Sequence, residues 1–350
     1  MLSFTLVLFW AAFVALLFFT RKQRIFWPLL ALALLLLFNA LLTPGFFKLE
    51  FREGHLYGTL IDILKHGGIV MLVALGMTLV IATGGVDLSV GAVIAVAGAV
   101  LAQAVAVHHL SPMMAMLLAV LVSVVLGAWN GLLVAGIGIQ PIVATLILMV
   151  AGRGIAQLIT EGQIINFTDP SLVYIANGYL LGLPFTCTLV LVLLALTYAL
   201  TRGTALGLFI EAVGDNDVAS RYAGVNARFV KFTAYVFAGF CAGLAGLVAA
   251  SDIKSADANH AGLYAELDAI LAVVIGGTAL TGGRFYLLGS IVGALLIQTL
   301  TTTMYARNVS ADIAPVPKAI VVIAVCLLQS EKARRYLTKL FPRKVAAASS

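Results

Sequence analysis

From residue 2 to residue 330 the sequence is a succession of long apolar runs, and these leave little choice of fold. Crossing a bilayer takes about 20 apolar residues. Runs near that length lie at 2–20, 25–43, 67–83, 88–107, 112–135, 141–160, 185–202, 232–250, 266–281, 285–304 and 316–330. The expected fold is all-α: a polytopic helical membrane protein of about 10–11 transmembrane helices. Several runs are short or joined by very tight turns, so broken or re-entrant helices are expected among them. Composition agrees. The 350 residues are 62% hydrophobic and 10% charged, where a soluble domain carries roughly 25% charged residues. The mean hydropathy is +1.10.

Lysine and arginine set the orientation. Alternating the spans places Arg21, Lys22, Arg24, Arg202, Arg221, Arg228, Lys231, Arg284 and the tail residues Lys332, Arg334, Arg335, Lys339, Arg343 and Lys344 on one side. The other side holds only Lys48, Arg52, Lys65, Lys254 and Arg307. The richer side is expected to be cytoplasmic, with the C-terminus there and the basic tail at 332–350 near anionic lipid headgroups. The net charge of +6 therefore points to membrane topology, and no nucleic-acid module is visible. The first run is followed by RKQR and lacks both the basic n-region and the small-residue cleavage site of a signal peptide. Residues 1–24 are expected to form an extra retained helix ahead of a transmembrane domain at 25–331.

Cys187, Cys241 and Cys326 are far apart in apolar runs and read as small buried hydrophobes. Neither H-E-x-x-H nor G-x-S-x-G is present, which argues against a membrane enzyme.

The largest polar excursion, at 202–231, lies on the basic side. Within it Glu211–Gly224 reads EAVGDNDVASRYAG. This piece is expected to form a short helix, with Asn216 or Asp215 as N-cap, Val218, Ala219 and Tyr222 on one face, and Gly224 at its end. A helix so short needs a docking surface.

The spacing of Glu211, Ala212, Gly214, Asn216, Ala219, Gly224 and Val225 resembles the coupling loop of permease subunits in bacterial ATP-binding-cassette sugar importers of the ribose type. Asp215 and Arg221 belong to the same candidate surface. Three further stretches resemble that family in the right order: ALGMTLVIATGGVDLSVGAV (74–93), QPIVATLILMVAGRGIAQLIT (140–160) and AELDAILAVVIGGTALTGGR (265–284). AWNGLLVA, SADANHAGL and ELDAILAVVIGG look closest to galactofuranose and arabinose permeases. The resemblance implies a transport subunit that works with an ATPase docked on the coupling loop, a periplasmic sugar-binding protein, and a second permease chain, homologous or identical. It also implies an inner-membrane location. The sequence has no G-x-x-x-x-G-K-[ST] phosphate cradle, so no cofactor is expected in this chain and ATP-Mg is assigned to the partner.

TGGVDLSVG (83–91) and TGGRFYLLG (281–289) share a pattern, each between two apolar runs on the basic side, and suggest two parallel pseudo-repeats. Asp87 in the first is expected to cap the next helix by accepting from N–H groups two and three residues on, with a gating role also open. Polar residues at membrane depth are candidates for the sugar path: Asn130, Thr145, Arg153, Gln157 and Asp268 beside Asp87, and also Gln140, Thr278 and Gln298. The Asn, Gln and Thr residues among them are also types that hold membrane helices together. Asp268 begins its run and is a second candidate cap; Arg153 is a candidate partner for Glu266 or Asp268. A stand-alone secondary transporter would need coupling carboxylates near the midplane, for which only Asp87 and Asp268 are available. Among importer substrates, other pentoses and hexoses or a furanose signal remain open.

Overall fold

A computed structural model of the chain describes residues 25–52, 54–310, 313 and 315–329. The helix expected at 1–24 and the tail at 332–350 lie outside these residues. In chain order the helices are α1 (Phe26–Leu42), α2 (Thr59–Ala82), α3 (Val90–Ala102), α4 (Pro112–Gly131), α5 (Pro141–Ile159), α6 (Pro170–Asn177), α7 (Phe185–Gly203), α8 (Leu206–Asp215), α9 (Asp217–Tyr222), α10 (Ala227–Ile253), α11 (Ala265–Ile275), α12 (Leu287–Ala306) and α13 (Pro315–Gln329). Short π-helical turns extend α3 to Val107 and α4 to Ile137. Proline occupies the first turn of α4, α5 and α6, where its missing N–H costs nothing.

Among the described residues seven helices are long and apolar enough to cross a membrane: α2, α3 and α4 with their extensions, α5, α7, α10 and α12. Helices α1 and α13 are shorter, at 17 and 15 residues. The run at 266–281 departs from the expected span. Its helix α11 has 11 residues, or about 16 Å of rise, half of a hydrocarbon core about 30 Å thick. The chain leaves the helix at Gly276-Gly277 and continues without helix to Tyr286. Hydropathy cannot separate a half-helix plus apolar connector from a full span, because both read as one apolar run.

Helix α10 is the hub, packed against α2, α3 and α4. Small residues make this possible. A Cβ at Gly239 would sit 2.8 Å from the Gly127 Cα, and one at Gly243 would sit 2.7 Å from the Ser123 Cβ. Spacing by four residues on both helices gives a seam along which backbones touch. Helix α2 is enclosed by protein, 78% of its apolar window being buried, whereas α5 is peripheral at 28%.

The contacts between loops divide them into the two sets that the alternation predicts. At one end the α2–α3 turn, the α8–α9 loop and the α11–α12 connector meet. At the other, three two-stranded pairs organise the loops: β1 (Glu50–Arg52) with β2 (His55–Tyr57), β3 (Ile165–Asn166) with β6 (Ser255–Ala256), and β4 (Tyr179–Leu180) with β5 (Leu183–Pro184). The first end carries Arg202, Arg221, Arg228, Lys231 and Arg284 and is called the basic end here.

Candidate functional site

At the basic end the two Thr-Gly-Gly turns lie against each other. The Gly283 N–H donates to the Ala82 carbonyl at 3.0 Å. Gly214, at the end of α8, fits into the joint. A Cβ there would overlap the Ala82 carbonyl oxygen and lie 2.6 Å from the Gly283 nitrogen. On the other side of the joint, a Cβ at Gly282 would approach the Gly84 nitrogen at 2.8 Å and the Gly214 carbonyl oxygen at 2.9 Å. Three backbones therefore converge where only hydrogen atoms fit. The helices entering the two turns differ, α2 having 24 residues and α11 having 11.

A second tie joins the same pieces. Arg202 pairs with Glu211 at 3.3 Å, and its guanidinium lies 4.9 Å from the centre of the Phe285 ring. It also donates to the Phe285 carbonyl at 3.4 Å. Arg202 thus holds a residue of α8 and the connector ahead of α12 together.

The stretch 211–224 holds the short helix expected after a cap at Asn216 or Asp215, and also the end of a preceding helix that was not expected. Glu211, Ala212 and Gly214 end α8, whose last residue is Asp215, and α9 begins after a break at Asn216 (φ −154°). Asn216 is the N-cap: its side-chain oxygen accepts from the Ala219 N–H at 2.9 Å. Gly224, at φ +86°, ends the excursion. Val218 and Tyr222 are 59% and 90% exposed, so α9 turns an apolar face outward. Its other face is pinned by Asp217, which accepts from Arg221 Nε and Lys231 Nζ, both at 2.6 Å. Burial alone would raise the Asp217 carboxyl; the hydrogen bonds from Lys231 and Arg221 outweigh it and hold the group below the usual carboxylate range.

Asp87 lies just beyond the Gly-Gly pair and is buried. Its Oδ1 accepts from the Ser89 N–H at 2.9 Å and the Ser89 hydroxyl at 2.6 Å. The Asn130 amide donates to the Ser89 hydroxyl at 2.8 Å and more weakly to Asp87 at 3.4 Å. Asp87 is therefore not the helix cap expected from the sequence. Helix α3 begins one residue beyond Ser89, and Asp87 closes a two-residue Asx turn ahead of it while linking α4 through Asn130. The Asn130 side-chain oxygen has no protein partner. Thr145 is buried in α5, bonded to its own Pro141 carbonyl at 2.9 Å with the Val86 carbonyl at 3.5 Å.

The other candidates lie elsewhere. Near the opposite end, Arg153 donates to the Ala258 and Ala261 carbonyls at 3.0 and 2.7 Å. Glu266 attracts it across the gap without a direct hydrogen bond. Gln157 donates to Asn259 at 2.7 Å. Helix α5 is thereby tied to the 257–261 loop. Asp268 neither caps α11 nor meets Arg153: Lys318 grips both of its carboxylate oxygens at 2.8 and 3.0 Å, joining α11 to α13. Thr278 accepts from the Tyr286 N–H at 3.1 Å, Gln298 reaches Thr302 at 3.5 Å, and Gln140 is exposed at the basic end. The sequence reading missed a cluster at the opposite end, where Lys65 meets Asp252 and Asn177, both at 2.9 Å, and His66 meets Asp252 at 3.2 Å. Lys65 and Asp252 lie near span ends that the alternation puts on one side, which was the available signal.

With this geometry in place, the chain matches a family of membrane permeases, described as the branched-chain amino acid transport system / permease component, over residues 59–328. The chain belongs to this family. The permease is 51% identical over 318 residues to the galactofuranose transporter permease protein YtfT of Escherichia coli (strain K12), covering 89% of this chain and 93% of the relative. It is 40% identical to the fructose import permease protein FruF of Bifidobacterium longum, covering 89% of each. It is 33% identical to the ribose import permease protein RbsC of Haemophilus influenzae, covering 88% and 93%. No solved structure matches the permease. Membership makes it a multi-pass transport subunit, in a family that implies an ATPase and a substrate-binding protein as partners.

Proposed function

We propose that this permease forms the membrane path of an ATP-driven monosaccharide importer in the bacterial inner membrane, with galactofuranose the first candidate cargo. The observation that carries the mechanism is the seating of Gly214 on both Thr-Gly-Gly turns. A partner ATPase, which supplies ATP-Mg, docks on the exposed face of α9 formed by Val218, Ala219 and Tyr222. Closure of the ATPase pulls on α8 and α9. Because Gly214 and Arg202 join α8 to the α2–α3 turn and the α11–α12 connector, the pull reaches both with little slack. A packed joint of this kind switches between arrangements rather than deforming gradually.

The basic end is then cytoplasmic, together with the C-terminus, and the opposite end receives a loaded periplasmic sugar-binding protein. A second permease chain, identical or homologous, covers apolar surface on α4, α5 and α7, where Leu121, Val150 and Leu191 are 59%, 71% and 60% exposed. Asn130 on α4 and Thr145, Arg153 and Gln157 on α5 are the candidates for lining the path. Asp268, engaged by Lys318, serves the joint of α11 and α13. The substrate assignment rests on the identity to the galactofuranose permease, above that to the fructose and ribose permeases.

Membrane vesicles containing the permease, its ATPase and its binding protein test this reading. They are expected to accumulate labelled galactofuranose in preference to ribose and fructose, and only with ATP inside the ATPase compartment. Uptake driven by an ion gradient without ATP would overturn the reading.

A further inference from the structure

Beside the coupling loop, a cavity of about 390 Å³ opens between α9, the first turns of α10, the turn at 83–85 and the segment 134–141. Its wall carries Arg221, Arg228 and Lys231 against a single carboxylate, Asp217. That carboxylate is already held by both Arg221 and Lys231. Among the described residues the exposed side chain of Arg228 has no hydrogen bond or ion pair. The cavity thus keeps an excess of positive charge that the protein does not neutralise.

Arg228 and Lys231 lie in the first two turns of α10, where the helix dipole disfavours cations. Gln140, just ahead of α5, also lines the cavity and is exposed. Three cations, one of them the exposed and unpaired Arg228, face one space against a single carboxylate, an arrangement suited to an oxyanion. We infer that this cavity binds a phosphoryl group, carried either by an anionic phospholipid headgroup or by a soluble phosphate. Its position at the ends of the spanning helices, beside the loop that meets the ATPase, makes occupancy a means of setting how firmly α9 is held.

The test uses the purified full chain with its partner subunits. Phosphatidylglycerol is added to one arm, with phosphatidylcholine as the neutral control, and retained lipid is read by native mass spectrometry. Labelled inorganic phosphate is added to the other, and binding is read by equilibrium dialysis. We expect selective retention in at least one arm: lipid retention identifies a headgroup, phosphate binding alone a soluble ligand. Arg228→Gln should weaken it about tenfold, the scale of one charge-assisted hydrogen bond. Gln140→Glu, an exposed change that introduces a carboxylate, should weaken it similarly without touching any arginine. No preference over phosphatidylcholine together with no phosphate binding would overturn the inference. So would selective binding that both substitutions leave unchanged. Neither arm measures sugar uptake, so the result stands apart from the transport assignment.

Discussion

Gly214 has no room for a side chain because two other backbones already occupy the space. The Ala82 carbonyl and the Gly283 N–H are bonded to each other, and Gly214 closes over them. Adding a methyl group forces a backbone apart, at a cost of about 1–3 kcal/mol. Gly214→Ala should therefore cut sugar uptake at least about tenfold while ATP hydrolysis by the assembled complex persists; unchanged uptake per ATP hydrolysed would remove the joint from the mechanism. Asp87 makes a different case. Burying a carboxylate is costly unless it is hydrogen-bonded, and the Ser89 and Asn130 donors offset that cost for Asp87. Asp87→Ala strands those donors, worth about 1–3 kcal/mol. Thermal melting of the purified complex should show a lower midpoint with sugar preference unchanged; full stability with altered preference would place Asp87 in the path instead. Both residues stood out in the sequence, Gly214 by its place in a motif and Asp87 as a lone carboxylate in an apolar stretch. Their partners did not, because the contacts span more than 40 residues for Asn130 and Asp87 and cross three separate segments for Gly214.

Helix α9 is six residues long, too short to persist unaided. It is held by the Asn216 cap, by Asp217 between Arg221 and Lys231, and by the sharp exit at Gly224. Removing the cap costs about 1 kcal/mol. Asn216→Ala is expected to increase hydrogen exchange at residues 217–222 and to lower uptake in proportion; exchange at the wild-type rate would show that the ion pairs alone hold the element. The break at Asn216 was only half legible. Asp215, Asn216 and Asp217 are all cap formers, so the sequence announces a helix start there but does not say that another helix has just ended. The same limit produced the full span expected at 266–281. Apolar content continues through Gly276-Gly277, and only the close packing of α11 on α12 shows where the helix stops.

Across the whole molecule, the alternation of lysine- and arginine-rich loops was the most informative reading of the sequence, since the loops assigned to one side meet at one end of the bundle. Distances between α2, α10 and α12 were invisible, because small residues along a helix say that something packs closely without naming it. If the basic end faces the cytoplasm, a reporter fused after Ser350 should be active only there, and a periplasmic signal would invert the topology. In the function proposed for this permease, coupling to an ATPase drives sugar along the path. The most direct test of that coupling is to purify the tagged chain from native membranes and measure ATP hydrolysis with and without binding proteins loaded with galactofuranose, fructose or ribose. Co-purification of an ATPase, stimulated most by the galactofuranose-loaded binding protein, is the predicted result. A chain that purifies without an ATPase, or an ATPase indifferent to every loaded binding protein, would contradict it.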